Sequence, residues 1–129
     1  MPWHPSPRPT DVELEILAVL WQHGPRTVRQ VHDILALQRD TGYSTTLKMM
    51  QVMKEKGLVT RDESVRPQLY RAVETREQVE LKMLDDLSSR VFGGSAAKLV
   101  MRMLSAKRVS PDELAEMQRS IKEVKDKDP

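Results

Sequence analysis

The side chains in this 129-residue chain whose types and spacing suit a definite chemistry are Ser44, Thr45, Thr46, Lys48 and Gln51, inside the run YSTTLKMMQVMKEKG. At about 100° per residue, a helix over this run puts Thr46, Met50 and Met53 on one face. Ser44, Thr45, Lys48, Gln51, Val52 and Glu55 fall on the other. The first face packs. The second offers short hydroxyls at the helix start, then an amine and an amide, a set suited to reading the major groove of DNA. Helix N-terminal amides and the Ser44 and Thr45 hydroxyls meet phosphates or base edges, and threonine methyls suit the thymine methyl. Lys48 suits phosphate or guanine, and Gln51 suits adenine. Val52 has no evident part in this chemistry, and Glu55 is repelled by any phosphate near it. Any amphipathic helix also allows the plainer reading of a core element with a solvated side, so the surrounding elements decide.

Those elements have clear punctuation. Thr10 with Glu13, and Thr27 with Gln30, form capping boxes that start a first helix, stopped by Gly24-Pro25, and a second ending near Leu37. Leu14, Leu17, Ala18 and Trp21 give the first helix its apolar stripe, and Ser44 caps the third, which Gly57 closes. LVTRDE and QLYRAV, flanking SVRP, then alternate as the two strands of a hairpin. Three helices followed by a hairpin is the winged helix-turn-helix order. Arg66 sits at the hairpin tip, where a wing meets the DNA backbone or minor groove, while Arg61 and Arg71 suit either DNA or solvated surface.

The remainder reads as long helices. Val79, Met83, Leu84, Leu87 and Val91 share one side of a helix over 75–91, FGGS interrupts, and Ala96–Leu104 forms another. Ser110, Pro111 and Glu113 start a last helix carrying Leu114, Met117, Ile121 and Val124. These apolar faces exceed what a small N-terminal domain needs for its own core. One winged helix reads only a few base pairs, so two copies joined through Leu84, Leu87, Val91, Leu99, Met103, Leu114, Met117 and Ile121 are expected; folding back within the chain is the alternative. The fold class is thus mostly α with a small β-hairpin: a flexible arm over 1–9, with four prolines, a winged helix over 10–73, a helical dimerisation region over 74–125 and a frayed tail over 126–129.

Composition narrows the functions. With 39% hydrophobic and 31% charged residues the chain folds, and its zero cysteines exclude disulfides, thiolate metal sites and a cysteine nucleophile. No apolar stretch is long enough for membrane insertion, and the expected location is the cytoplasm. The net charge is only +2, but residues 43–71 concentrate six basic against three acidic side chains. His4, His23 and His32 lack metal-ligand spacing, and the adjacent pair His32-Asp33 points in different directions, so no catalytic residues, metal or cofactor are expected. The methionines follow helical spacing and fill core gaps, and Gly93-Gly94 reads as a helix break.

Taken in order, PTDVELEILAVLW, TVRQVHDIL, GYSTTLKMMQVMKEKGLV running into RDES, LYRA, and FGGSAAKLV followed by SPDELAEM resemble the penicillinase-repressor (BlaI/MecI/CopY) family of bacterial transcriptional repressors, over residues 9–124. The resemblance implies a homodimer that represses a promoter by occupying a palindromic operator in double-stranded DNA. GYSTTLKMM matches the start of the family's recognition helix, which gives Ser44, Thr45, Thr46 and Lys48 a DNA-contact role. The resemblance also implies release by proteolysis in the dimerisation region, performed or triggered by a BlaR-like sensor metalloprotease. Three departures stand out. Arg102-Met103 replaces the Asn-Phe scissile pair of some members, Val52 replaces a frequent arginine, and the cysteine cluster of the copper-responsive branch is missing. The competing function is a winged-helix module that docks on a protein without sequence-specific DNA binding; a small hydrolase lacks any residue set for its chemistry.

Overall fold

A computed structural model of the chain describes residues 8–127. Most of the expected N-terminal arm, and residues 128 and 129, lie outside the described residues. The elements are α1 (Asp11–His23), α2 (Val28–Leu35), α3 (Tyr43–Glu55), β1 (Val59–Asp62), β2 (Leu69–Ala72), α4 (Arg76–Val91), α5 (Ala96–Ser105) and α6 (Pro111–Lys127). The described residues divide into two compact units, the first running to Met83 and the second starting at Leu84.

In the first unit both expected capping boxes form. Thr10 Oγ1 accepts from the Glu13 amide at 3.2 Å and Glu13 Oε1 accepts from the Thr10 amide at 2.9 Å. Thr27 and Gln30 repeat this at 3.1 and 3.0 Å. Gly24, at φ 80°, ends α1 in a conformation that L side chains rarely adopt. The cap of α3 differs from the sequence expectation. Gly42, extended at φ −87° and ψ 158°, is the N-cap and no side chain caps the helix. Its carbonyl accepts from the Thr46 amide at 3.2 Å, so the helix starts before Ser44, which lies in the first turn.

The core gathers Ile16, Leu17 and Leu20 of α1, Val31 and Leu35 of α2, Met50 and Met53 of α3, and Val59 and Tyr70 of the hairpin. The stripe expected on α1 is displaced: Ile16, Val19 and Leu20 are buried with Leu17, whereas Leu14 and Trp21 are only partly covered. α1 meets neighbours on more than one side, which a single-stripe reading cannot register. β1 and β2 pair antiparallel in the register Val59↔Ala72 to Asp62↔Leu69. Arg26 adds one bridge against Tyr70, its amide donating to the Tyr70 carbonyl at 3.0 Å and its carbonyl accepting the Tyr70 amide at 2.8 Å. The loop between α1 and α2 is thereby fastened to the hairpin.

The first unit continues past residue 73 into α4. Trp21 Nε1 donates to the Glu74 carbonyl at 2.9 Å, the Arg76 guanidinium lies 5.1 Å from the Trp21 ring centroid, and Val79 is buried. Thr75 and Gln78 form a further capping box that starts α4.

In the second unit, the Ser110–Glu113 box starts α6 as expected, and Ser95, read only as part of the FGGS break, caps α5. Residues 126 and 127, expected in the frayed tail, belong to α6. Neither α5 nor α6 buries a side chain fully. Among the described residues no helix is long and apolar enough to cross a membrane.

Candidate nucleic-acid interface

The two faces of α3 separate cleanly. Thr46, Met50 and Met53 are buried, while Ser44, Thr45, Lys48, Gln51, Val52 and Glu55 are exposed. Burial of one face against α1 and α2 fixes the rotation of the helix, so the polar residues have no choice but to point outward. Thr46 is the correction. The family resemblance assigns it a DNA contact, yet it is 1% exposed. Its hydroxyl donates to the Gly42 carbonyl at 3.4 Å and lies 3.2 Å from His32 Nδ1. A hydroxyl has one proton, so with that proton on Gly42 the imidazole Nδ1–H is the donor. Thr46 thus joins α2 to α3 from within, and the helical-wheel assignment to the core is the one the structure follows.

In the hairpin, Arg61 is half-buried and already engaged. Its Nη2 and Nε donate to Glu63 Oε1 at 2.7 and 3.2 Å, and its Nη1 reaches the Tyr70 hydroxyl at 3.5 Å. The hydrogen bond that Arg61 donates to Glu63, followed by the one to Tyr70, raises the Arg61 pKa, and the same contact with Glu63 lowers that of Glu63. Arg66 is exposed in the connecting turn, its Nη1 donating to the Glu63 carbonyl at 3.3 Å, and Arg71 is exposed on β2. Asp62 accepts from the Ser64 hydroxyl at 2.5 Å and amide at 2.9 Å, which shapes the turn and lowers its pKa. Arg66 and Arg71 are therefore the hairpin cations offering charge outward, and Arg61 is first a brace for the strands.

Two recesses flank α3. An open groove of about 480 Å³ runs between Thr10 and Glu13 of the α1 start and Ser44, Thr45, Lys48 and Val52. On the other flank a cleft of about 230 Å³ lies between α2, α3 and the hairpin, lined by Thr27, Arg29, Tyr43, Gln51, Arg61 and Gln68 among others. Sequence reading missed Arg29, Tyr43 and Gln68. The Arg29 guanidinium lies 4.2 Å from the Tyr43 ring centroid, and His32 meets the same ring edge-on at 5.8 Å. The available signal was the position of Arg29 in the first turn of a capped helix. Among the described residues no group of three His, Asp or Glu side chains is arranged to hold a metal ion.

In the second unit, Leu84, Leu87, Val91, Met103, Leu114 and Ile121 are exposed, Leu84 at 48% and Ile121 at 53%, and Leu99 and Met117 are half-buried. A single chain leaves most of the apolar set expected at a dimer interface in water.

The sequence pattern of the family described as "Penicillinase repressor" matches residues 9–123. Over 116 residues, 88% of this chain and 83% of the relative, the chain is 31% identical to the protein named Transcriptional regulator BlaI in Mycobacterium tuberculosis strains CDC 1551 / Oshkosh and ATCC 25618 / H37Rv.

Proposed function

The chain belongs to the penicillinase-repressor family of transcriptional repressors, and from that premise we propose that it acts in the cytoplasm as a homodimer on a palindromic operator. The observation that carries this reading is the split of α3: Thr46, Met50 and Met53 hold it against the core while Ser44, Thr45, Lys48 and Gln51 stand in solvent. A helix so held enters the major groove with its N-terminal residues foremost. Ser44 and Thr45 then meet phosphate or base edges, Lys48 meets phosphate or guanine, and Gln51 pairs with adenine. Arg66 neutralises backbone charge beside the groove.

Dimerisation follows from the apolar residues of α4, α5 and α6 that one chain leaves exposed. A dimer carries two α3 helices for two half-sites about one DNA turn apart, and a two-fold protein requires a two-fold operator. Release occurs by proteolysis in the dimerisation region, linked to a membrane sensor metalloprotease. Arg102 and Met103 lie exposed on α5 of the single chain, a helix with no fully buried side chain, so a protease reaches this segment once the contact between copies through Met103 opens. The experiment is nuclease footprinting on the DNA upstream of the chain's own gene. Two protected half-sites about one turn apart are expected; uniform coverage with no preferred site would reject operator binding in favour of a protein-docking module.

A further inference from the structure

The cleft between α2, α3 and the hairpin has a composition unlike that of the opposite groove. Two guanidiniums, Arg29 and Arg61, line it, together with the amides of Gln51 and Gln68, and no carboxylate does. The groove on the other side of α3 contains Glu13. The cations of the first unit also differ in how they are used. Lys56 is paired with Glu13, Arg39 with Glu15 and Arg61 with Glu63. Among the described residues, Arg29 has no carboxylate partner, and its guanidinium lies instead over the Tyr43 ring. A cation over an aromatic face is attracted by the ring quadrupole while its in-plane N–H donors stay available. Tyr43 thus fixes where the guanidinium lies without using its donors.

Two further features converge on the same place. The N-cap Thr27 and the first-turn residues Val28 and Arg29 of α2 form part of the lining. The capping box uses the Thr27 and Gln30 amides, which leaves those of Val28 and Arg29 without an intrahelical acceptor at the positive end of the helix. Gln51 belongs both to the lining and to the exposed face of α3, so the cleft opens beside the surface that faces DNA.

We propose that this cleft seats one phosphodiester group of the DNA backbone, gripped by Arg29 with Tyr43 as its positioning residue. The proposal rests on the DNA-binding reading above. A guanidinium fork makes paired charge-assisted hydrogen bonds to phosphate oxygens, and a stacked fork loses little freedom on doing so. The interaction carries no base information, so Arg29 adds affinity on every sequence and leaves discrimination to α3.

The test measures affinity of the full-length protein by fluorescence anisotropy between about 50 and 200 mM salt, the range over which phosphate neutralisation shows most clearly. The probes are the duplex upstream of its own gene and a shuffled duplex of equal length. Arg29→Ala should weaken both by the same factor, on the order of tenfold or more, and flatten the salt slope by about 0.9 for each phosphate no longer neutralised. Tyr43→Leu should give a smaller loss of the same kind and none further when added to Arg29→Ala. Arg29→Lys, which keeps charge without the fork, should fall between wild type and Arg29→Ala and serves if the alanine variant fails a circular-dichroism check of folding. Unchanged affinity and slope in Arg29→Ala, with Lys48→Ala still weakening both duplexes, would overturn the phosphate seat and leave the DNA reading standing. A loss confined to the upstream duplex would also overturn it, since Arg29 would then read a base. Wild-type protein that binds neither duplex at low salt would overturn the DNA reading itself.

Discussion

Lys56 Nζ lies 3.0 Å from Glu13 Oε2, joining the C-terminal end of α3 to the first turn of α1 through a carboxylate that is 4% exposed. Burial opposes the charge on Glu13, and the hydrogen bond from the Thr10 amide together with the Lys56 ammonium outweighs it, so the carboxyl is held below its usual 4.5. The pair fixes the far end of the helix whose near end is held by Gly42 and Thr46. Sequence reading assigned Glu13 to a capping box and found that role, but not this second one, because Lys56 lies 43 residues away.

Glu13→Gln should therefore destabilise the protein by about 1 to 3 kcal/mol at neutral pH, since the partner ammonium is partly exposed and recovers some hydration. The folded pKa of Glu13 is below the unfolded one. Its contribution is then fully present above the unfolded value and is lost as pH falls through the folded value, below about 4.5. Urea titrations at neutral and acid pH should show the gap between wild type and Glu13→Gln closing in acid; a constant gap would contradict the ion pair.

Thr46 and Thr45 are neighbours with opposite duties. Thr46→Val removes the hydroxyl between Gly42 and His32 and should cost about 1 kcal/mol of stability with operator preference kept. Thr45→Ala should leave stability within about 0.5 kcal/mol and weaken binding to the upstream duplex. Thermal melts paired with gel shifts distinguish the two, and altered base preference in Thr46→Val without a stability loss would return Thr46 to the reading face.

Leu87→Glu combined with Ile121→Glu should halve the mass seen by light scattering on a sizing column, because both residues are exposed on one chain and are assigned to the contact between two. The first unit should keep its thermal transition. Unchanged mass would place the dimer contact elsewhere or abolish it.

Arg66→Ala should weaken specific and shuffled duplexes alike and flatten the salt slope by about one per protomer. Arg61→Ala should do less to the slope, since Glu63 already accepts from its guanidinium at 2.7 Å. A larger slope change for Arg61 than for Arg66 would show that DNA displaces Glu63.

What could be read in advance follows the range of the interactions. The caps Thr10–Glu13, Thr27–Gln30 and Ser110–Glu113 span three residues and were legible, whereas Thr75–Gln78, of equal span, was not read. The outward set on α3 followed from helical period alone. The Gly42 cap escaped because glycine offers no side chain to recognise, and Ser44 two residues on is a stronger signal by residue type. Arg26 against Tyr70, Trp21 against Glu74 and Arg29 over Tyr43 join residues distant in sequence and leave no periodic trace. Thr46 shows two signals in conflict, and the one rooted in packing geometry prevailed.

The most direct measurement is the ratio of affinities for the upstream and shuffled duplexes, compared between wild type and the double variant Thr45→Ala with Gln51→Ala. If α3 reads bases, wild type should prefer the upstream duplex by on the order of a thousandfold or more. The double variant should lose most of that preference while binding shuffled duplex nearly as before. A wild-type ratio near one, or a ratio untouched by the double variant, would contradict base reading by α3.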